Sequence, residues 1–363
     1  MAAAGQSYTI GSLNVHFFEC EANHDICSFF ATDIAKSGHR LDVLCVQECI
    51  LNHLCTRPNG RTYSIEICPF YAGKKGENAE RIELYYTMTE DEVERHLCAS
   101  FGVSPQAITI YEQPKESSTR VPLTHHALRR HMTKPCYIRL NPDHGPATVG
   151  QEYTLGRLAH TLDMPYVAFG TSMPGNLGFF GNAVLSRVPF TEAMCRQLES
   201  TPELQVSCPP PWEYPQTRGL TTVCLPGLRL AVVHLDHVYE QLRTHQLITV
   251  AETLSGSAPT LLIGDFNSLR QCDYSESQWA SIVSIREKNR WEEPRPEVME
   301  TALSLGFRDS FYEVNPNALP APTCRFNTRV DYGMLKGAIS ALEYGTYHSH
   351  SDHQLLVVKV KVG

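Results

Sequence analysis

Carboxylate, amide and imidazole side chains recur where the apolar runs of this sequence end. Asn14 follows Tyr8-Thr-Ile-Gly-Ser-Leu13, Glu48 follows Asp42-Val-Leu-Cys-Val-Gln47, and His234 follows Leu230-Ala-Val-Val233. Asp265 and Asn267 follow Leu261-Leu-Ile-Gly264, Asp331 sits in Thr328-Arg-Val-Asp-Tyr332, and Ser351-Asp352-His353 directly precedes the last apolar run. A strand fixes such a group while the loop beyond opens it to solvent. Groups of these types can hold a hard cation or carry protons. Taken singly, each has a plainer reading. An Asn or Asp at a strand end most often bonds its own backbone in a turn, and a lone Asp-His pair is usually a surface hydrogen bond. Six such groups in one chain are not explained that way.

The elements that position them are read from apolar spacing. Residues 8–15 form a strand, and 26–37 a helix with Ile26, Phe29, Phe30 and Ile34 on one side, stopped by Gly38. Residues 41–47 are almost continuously apolar, as in a strand buried on both faces. Further along, 153–162, 240–254 and 296–305 read as helices. Residues 181–186, 228–234, 260–263, 328–335 and 354–362 read as strands. The Pro-rich Cys208-Pro-Pro-Pro-Trp212 reads as a loop. The interleaving predicts an α/β (α+β) class, with mixed sheets packed together and flanked by helices.

The texture changes between about residues 52 and 150, which are more polar and carry several His, Lys and Arg residues. Strands at 61–71, 81–87, 108–111 and 136–140, with a helix at 90–100, give a ββαββ order. That order resembles a ubiquitin-like β-grasp module. An elaborated surface excursion with its own small sheet is the other reading. The division expected is 1–51 and 151–363 as one domain with 52–150 inserted in it. His125, His126, His131 and Cys136 match no tight zinc-ligand spacing.

Seven short stretches, Ser12-Leu-Asn14, Val46-Gln-Glu48, Gly181-Asn-Ala-Val-Leu-Ser186, Val233-His-Leu-Asp236, Gly264-Asp-Phe-Asn267, Arg329-Val-Asp331 and Ser351-Asp-His353, together resemble the serial signatures of the endonuclease/exonuclease/phosphatase superfamily. The resemblance covers residues 8–51 and 153–362. It implies a four-layer sandwich of two mixed β-sheets flanked by helices, and a Mg²⁺-dependent hydrolase, with Mn²⁺ as substitute, that cleaves a phosphate ester, foremost a phosphodiester. On this resemblance Glu48 is the principal metal ligand, Asn14 holds a metal-bound water or phosphate oxygen, and Asp352 is a second, water-mediated metal contact. Asp265 would orient and deprotonate the attacking water, and Asn267 would hold that water or the scissile phosphate. His353, oriented by Asp331, would donate to a phosphate oxygen, and His234 would contact the phosphate or protonate the leaving oxygen. Arg218 is read either as a phosphate contact or as a turn arginine in solvent, and Asn182 as a brace of the same site. Many nucleases of the family carry an acid two places after the first-strand Asn. Here that place holds His16, read as a packed residue, with a phosphate contact as the alternative.

The totals narrow the field. A chain of 363 residues with 42% hydrophobic and 19% charged residues can bury a large core. A net charge of −8 argues against a protein that coats nucleic acid through a broad basic face. No run of 18 apolar residues exists, the first seven residues lack the pattern of a secretory signal, and 13 irregularly spaced cysteines do not suggest a disulfide framework. A cytoplasmic or nuclear location is therefore expected. Two other functions stay open: a phosphomonoesterase acting on inositol or nucleotide phosphates, and a silent scaffold that binds a protein through the insert. Specificity is expected in the middle segment and in 200–219 and 270–296. Those last two stretches carry Trp212, Tyr214, Trp279 and Trp291, which either stack on a base or cap the sandwich.

Overall fold

Leu228–His234 shows why the chain forms layers. Leu228, Leu230 and Val232 point one way, Ala231 and Val233 the other, and all are buried. A strand covered on both faces must lie between other layers. The computed structural model describes residues 5–18, 26–51, 62–71, 74–75, 80–85, 88–100, 108–111, 121–129, 136–140, 153–175, 178–198 and 218–363. The Pro-rich Cys208–Trp212 piece, Tyr214 and His131 lie outside the described residues.

Two six-stranded sheets make up the first compact unit, which takes in Met1–Cys49, Leu158–Met173 and Gly181–Gly363. One sheet has the order Ile339–Tyr347, Leu355–Val362, Ser7–Asn14, Val43–Ile50, Gly178–Ser186, Tyr166–Gly175. The other runs Thr191–Leu198, Arg218–Leu225, Leu228–His234, Thr260–Asp265, Asp331–Lys336, Arg308–Asp309. Each mixes parallel pairs, as in Ser7–Asn14 with Val43–Ile50 and Leu228–His234 with Thr260–Asp265, with antiparallel ones.

The inner faces meet in one apolar cluster. Ile10, Val43, Cys45, Val184 and Val358 come from the first sheet, and Val223, Leu230, Val232, Leu261 and Ile263 from the second. The alternate residues of the second sheet, Leu220, Ala231, Val233, Leu262 and Met334, pack on Leu247, Val250, Val298 and Met299 of helices Glu240–Thr253 and Glu297–Ser304. Helix Ile26–Lys36, as its spacing predicts, buries Cys27, Phe30 and Ile34. The result is the expected four-layer sandwich.

Besides the two-residue strands Lys74–Lys75 and Arg308–Asp309, four strands escaped the sequence reading: Tyr166–Gly175, Thr191–Leu198, Arg218–Leu225 and Ile339–Tyr347. Thr191–Leu198 is a sheet edge whose side chains are largely exposed and Ile339–Tyr347 one whose side chains are mostly half-buried, so they carry little apolar signal. Helix Glu276–Lys288 was missed for the same reason, since of its residues Ile282 alone is buried.

The second unit comprises Ile50–Arg157 and Pro174–Phe180. Its sheet centres on Thr62–Tyr71, which pairs in parallel with Cys136–Leu140 and antiparallel with Glu80–Tyr85 and Lys74–Lys75. Ile108–Tyr111 lies antiparallel to Cys136–Leu140. Val93, Leu97 and Cys98 of helix Glu90–Ser100 join Ile65, Ile67, Ile82, Leu84 and Ile110 in a separate core. Among the described residues no helix is long and apolar enough to cross a membrane.

Candidate active site

Register brings the expected groups together. Along three neighbouring strands, His234 pairs with Asp265 and Asp265 with Asp331, so an imidazole and two carboxylates stand abreast at one sheet end. Gly264 makes the approach possible. It adopts φ +139°, and a Cβ there would lie 2.0 Å from Val233 O. The other sheet brings Asn14 at the end of its strand and Glu48 on the neighbouring one. Glu48 was expected to end its strand. Instead the strand runs on to Ile50, and Glu48 is bent out of it at φ +53°, which is rare for a residue other than glycine. Asn267 is similarly bent, at φ +49°.

Asn14 ties the two sheets together. Its Nδ2 donates to Glu48 Oε1 and to Asp265 Oδ2, both at 3.1 Å, while its Oδ1 accepts from the His16 backbone N–H at 3.0 Å. The reversed amide would set oxygen against two carboxylates, so this orientation is enforced by charge. Asn14 thus meets the carboxylates as a donor. His16 bends back at φ +42° and sets its ring edge-on to Phe17. Asn267 donates its backbone N–H to Asp265 Oδ1 at 2.8 Å and its side-chain amide to Leu235 O at 3.1 Å.

Asp331 and His353 form a buried dyad, Nδ1 to Oδ2 2.9 Å, which leaves His353 Nε2 3.8 Å from Asp265 Oδ2. Burial opposes a charge on His353, but the carboxylates of Asp331 and Asp265 overcome it and hold its pKa well above the ordinary value. Asp265 is pushed up to about 7, first by burial and then by the charges of Asp331 and Glu48, with His353 and the Asn267 amide pulling the other way. At neutral pH the site therefore holds an imidazolium beside a carboxyl group near its own pKa.

His234 behaves differently. Its Nε2 lies 3.7 Å from both Glu48 Oε1 and Asp265 Oδ2, and its Nδ1 faces Arg218 Nη1 at 3.3 Å. Arg218 Nη2 donates to His237 Nδ1 at 2.9 Å. A guanidinium only donates, so both Nδ1 atoms must be acceptors and both imidazoles are neutral with Nε2–H. Burial, reinforced by Arg218, lowers the pKa of each, that of His237 to about 4. Arg218 is 2% exposed and spends its Nη atoms on these rings, so it sets their tautomers. Asn182 is likewise buried and donates to Gly219 O at 2.7 Å, bracing the strand that Arg218 begins.

Asp352 lies against Arg325, Oδ2 to Nε 3.5 Å, and Ser351 Oγ donates to Asn14 O at 2.6 Å, joining the last loop to the first strand. The donor set suits a divalent cation. Glu48, Asp265 and Asp331 crowd negative charge enough to raise Asp265, and hard oxygens match a hard ion. Among the described residues, ligand-type atoms of Asp265, Asp331 and His353 also close within 4.8 Å of one another. In that trio, however, the His353–Asp331 hydrogen bond already occupies one imidazole nitrogen.

Sequence reasoning gave His237 no role. Its spacing in His234-Leu-Asp-His237 was the available signal, since the next turn of chain returns it to the same arginine. The buried Arg329 was also passed over, although it stands two residues before Asp331. It bonds Asp309 through both oxygens (2.8 and 2.9 Å) and Asp273 at 3.2 Å, beneath the strand end that carries Asp331.

A family profile described as the Endonuclease/Exonuclease/phosphatase family matches residues 11–353. No curated protein sequence matches the chain. Among solved structures, an endonuclease/exonuclease/phosphatase from Beutenbergia cavernae is 14% identical, covers 99% of this chain and 72% of its own, and superposes with a TM-score of 0.52. One from Bacteroides vulgatus is 11% identical, covers 99% of this chain and 100% of its own, with a TM-score of 0.50. At these identities the likeness is one of fold. With the profile spanning nearly the whole chain and the sandwich in place, this protein belongs to the Endonuclease/Exonuclease/phosphatase family.

Proposed function

We propose that the protein is a divalent-metal-dependent hydrolase of phosphodiesters, using Mg²⁺ with Mn²⁺ as substitute. The observation that carries this reading is the convergence of Asn14, Glu48, His234, Asp265, Asp331 and His353 from two sheets onto one end of the sandwich. Glu48 would hold the ion, with Asp352 through water and Asn14 orienting the carboxylates. A bound ion would supply a Lewis acid and a template at the phosphate.

The chain's own groups do the rest. Asp265 takes a proton from the attacking water, which Asn267 positions. As the water oxygen bonds phosphorus in line, the bond to the leaving oxygen breaks, its electron pair stays on that oxygen, and solvent water supplies the proton it takes up. His353, kept protonated by Asp331, donates Nε2–H to a non-bridging phosphate oxygen and stabilises the charge that grows there. His234 donates as a neutral imidazole, its Nε2–H fixed by Arg218. A neutral donor with a lowered pKa fits contact with the phosphate better than protonation of the leaving oxygen. That Glu48, Asp265 and His353 are all present and assembled speaks against a silent scaffold.

The test is hydrolysis of methyl p-nitrophenyl phosphate with Mg²⁺ or Mn²⁺, compared with EDTA and with Asp265→Asn. Turnover that depends on the metal and falls in the variant is expected. Turnover absent throughout, or indifferent to both, sinks the reading. A panel of mono- and dinucleotides, polynucleotides, inositol phosphates and sphingolipid phosphates with Mg²⁺ then separates phosphodiesterase from phosphomonoesterase.

A further inference from the structure

We propose that Asp33 is a positioning residue of the site: from the helix layer it holds the turn Ser349–Ser351 and through that turn fixes where Asp352 and His353 lie. This rests on the phosphodiesterase reading above. Helix Ile26–Lys36 turns Cys27, Phe30 and Ile34 inward, and Asp33 is buried with them at 1% exposure. A carboxyl group on the inner face of an amphipathic helix breaks the pattern that folds the helix. Its burial is unfavourable unless its oxygens are matched. Here they are matched in part. Oδ2 accepts the His350 backbone N–H at 2.7 Å. Among the described residues Oδ1 makes no hydrogen bond, with His350 Nε2 at 3.4 Å and Lys36 Nζ at 3.8 Å. A leucine would cover the same surface without an unmatched oxygen, so the packing of the helix does not account for an acid here. Breaks in a local pattern of this kind gather at functional positions.

What Asp33 grips leads straight to the site. Phe29, one helical turn earlier and on the same side, meets the His350 ring edge-on with centroids 4.6 Å apart. Two successive turns of the helix therefore hold the ring and the backbone of one residue. His350 stands in a turn that is tight in itself. Ser351 N donates to Ser349 Oγ at 3.0 Å, and Ser349 Oγ donates to His353 O. Beyond the turn, Arg325 N donates to Asp352 O at 2.8 Å and Gln354 N to Thr323 O at 2.7 Å.

Asp331 orients the His353 imidazole, but the backbone sets the point about which that ring pivots. The bonds from Arg325 and to Thr323 hold this backbone on one side, and the Ser351 bond to Asn14 holds it to the first strand. Asp33 supplies the hold from the helix layer. A turn released by the helix passes its shift to His353 O through Ser349. Displacing a catalytic group by about 1 Å costs up to about a hundredfold in rate.

Two variants test this. Asp33→Leu removes the acceptor, and Asp33→Asn keeps an oxygen that accepts from His350 N. With methyl p-nitrophenyl phosphate and saturating Mg²⁺, Asp33→Leu should lower kcat by about tenfold to a hundredfold with KM within about threefold of the wild type. Its Tm should equal or exceed that of the wild type, because no buried carboxyl group remains. Asp33→Asn should recover most of the lost kcat. The proton resonance of His353 Nδ1–H, assigned by its absence in His353→Gln, gives a readout independent of turnover. It should shift or broaden in Asp33→Leu and keep its place in Asp33→Asn. If the wild type leaves the ester uncleaved but the resonance responds in this way, the positioning role stands and the hydrolase reading falls. An Asp33→Leu protein that keeps both kcat and the resonance overturns the role, and so does a Tm lost in both variants. Should the leucine alone fail to fold, Asp33→Ala takes its place in both measurements.

Discussion

The same crowding of carboxylates raises the pKa of both Asp265 and His353, and this fixes the pH behaviour expected of the site. Asp265 must lose its proton to act as a base, so kcat/KM should rise through about pH 7 at low metal concentration. Its folded-state pKa lies above the unfolded value, so between roughly pH 4 and 7 the folded state alone holds the proton. Stability contributed by that proton is present in acid and lost as pH climbs through about 7. Asp265→Asn removes the buried charge and keeps the shape. In EDTA at pH 8 its Tm should equal or exceed that of the wild type, while kcat falls by ~10²–10⁴. A variant that loses both activity and Tm would mean that Asp265 serves the fold. Asp331→Asn withdraws the charge that keeps His353 protonated. The alkaline limb of kcat should then move to lower pH, with kcat down ~10²-fold or more, as a pH–rate profile of the two proteins would show.

At the scale of elements, the strand ends hold their angles because polar residues beneath them are locked. Arg329, 1% exposed, bonds Asp309 and Asp273, and its guanidinium lies 4.2 Å from the Tyr332 ring centroid. Tyr274 OH accepts from the Arg329 backbone N–H at 2.9 Å. Arg329→Met leaves the buried Asp273 carboxylate without this cation and Asp309 with Arg270 at 3.4 Å, and should destabilise by ~3–5 kcal/mol, measured by urea unfolding. A loss below about 1 kcal/mol would mark the network as solvated like a surface pair. None of this was visible in Arg329-Val-Asp331, because what makes Arg329 structural is two aspartates 56 and 20 residues away. The strand-end groups were legible because their chemistry is written locally, as an apolar run followed by a polar residue. The Arg218–His237 bond and the edge strands were not, since tautomers depend on tertiary partners and edge strands need no apolar alternation. Glu48 lies between the two cases. Its identity was plain, but the bend that turns it out of a continuing strand is a backbone state that no residue type there announces.

At the scale of the whole molecule, every described group of the site belongs to one compact unit and none to Ile50–Arg157. That second unit has its own core, in which Ile65, Ile67, Ile82, Leu84, Val93, Leu97, Ile110 and Leu128 contact one another. Its two central strands, Thr62–Tyr71 and Cys136–Leu140, are parallel, antiparallel strands flank them, and helix Glu90–Ser100 packs on the sheet. We propose that residues 52–150 are an inserted β-grasp-like module that folds on its own core and takes no part in the chemistry. A module packed on a core of its own can be removed without opening a cavity elsewhere, whereas removing part of a shared core leaves one. Replacing 52–150 with a long flexible Gly/Ser linker should therefore keep a cooperative thermal transition. It should also keep metal-dependent turnover of methyl p-nitrophenyl phosphate within about tenfold, a difference of ~1.4 kcal/mol in barrier. Loss of the transition would show that the sandwich leans on the insert for its fold. A folded protein with turnover down ~10³-fold or more would place a group from 52–150 at the substrate, because only a contact made in the transition state is worth that much.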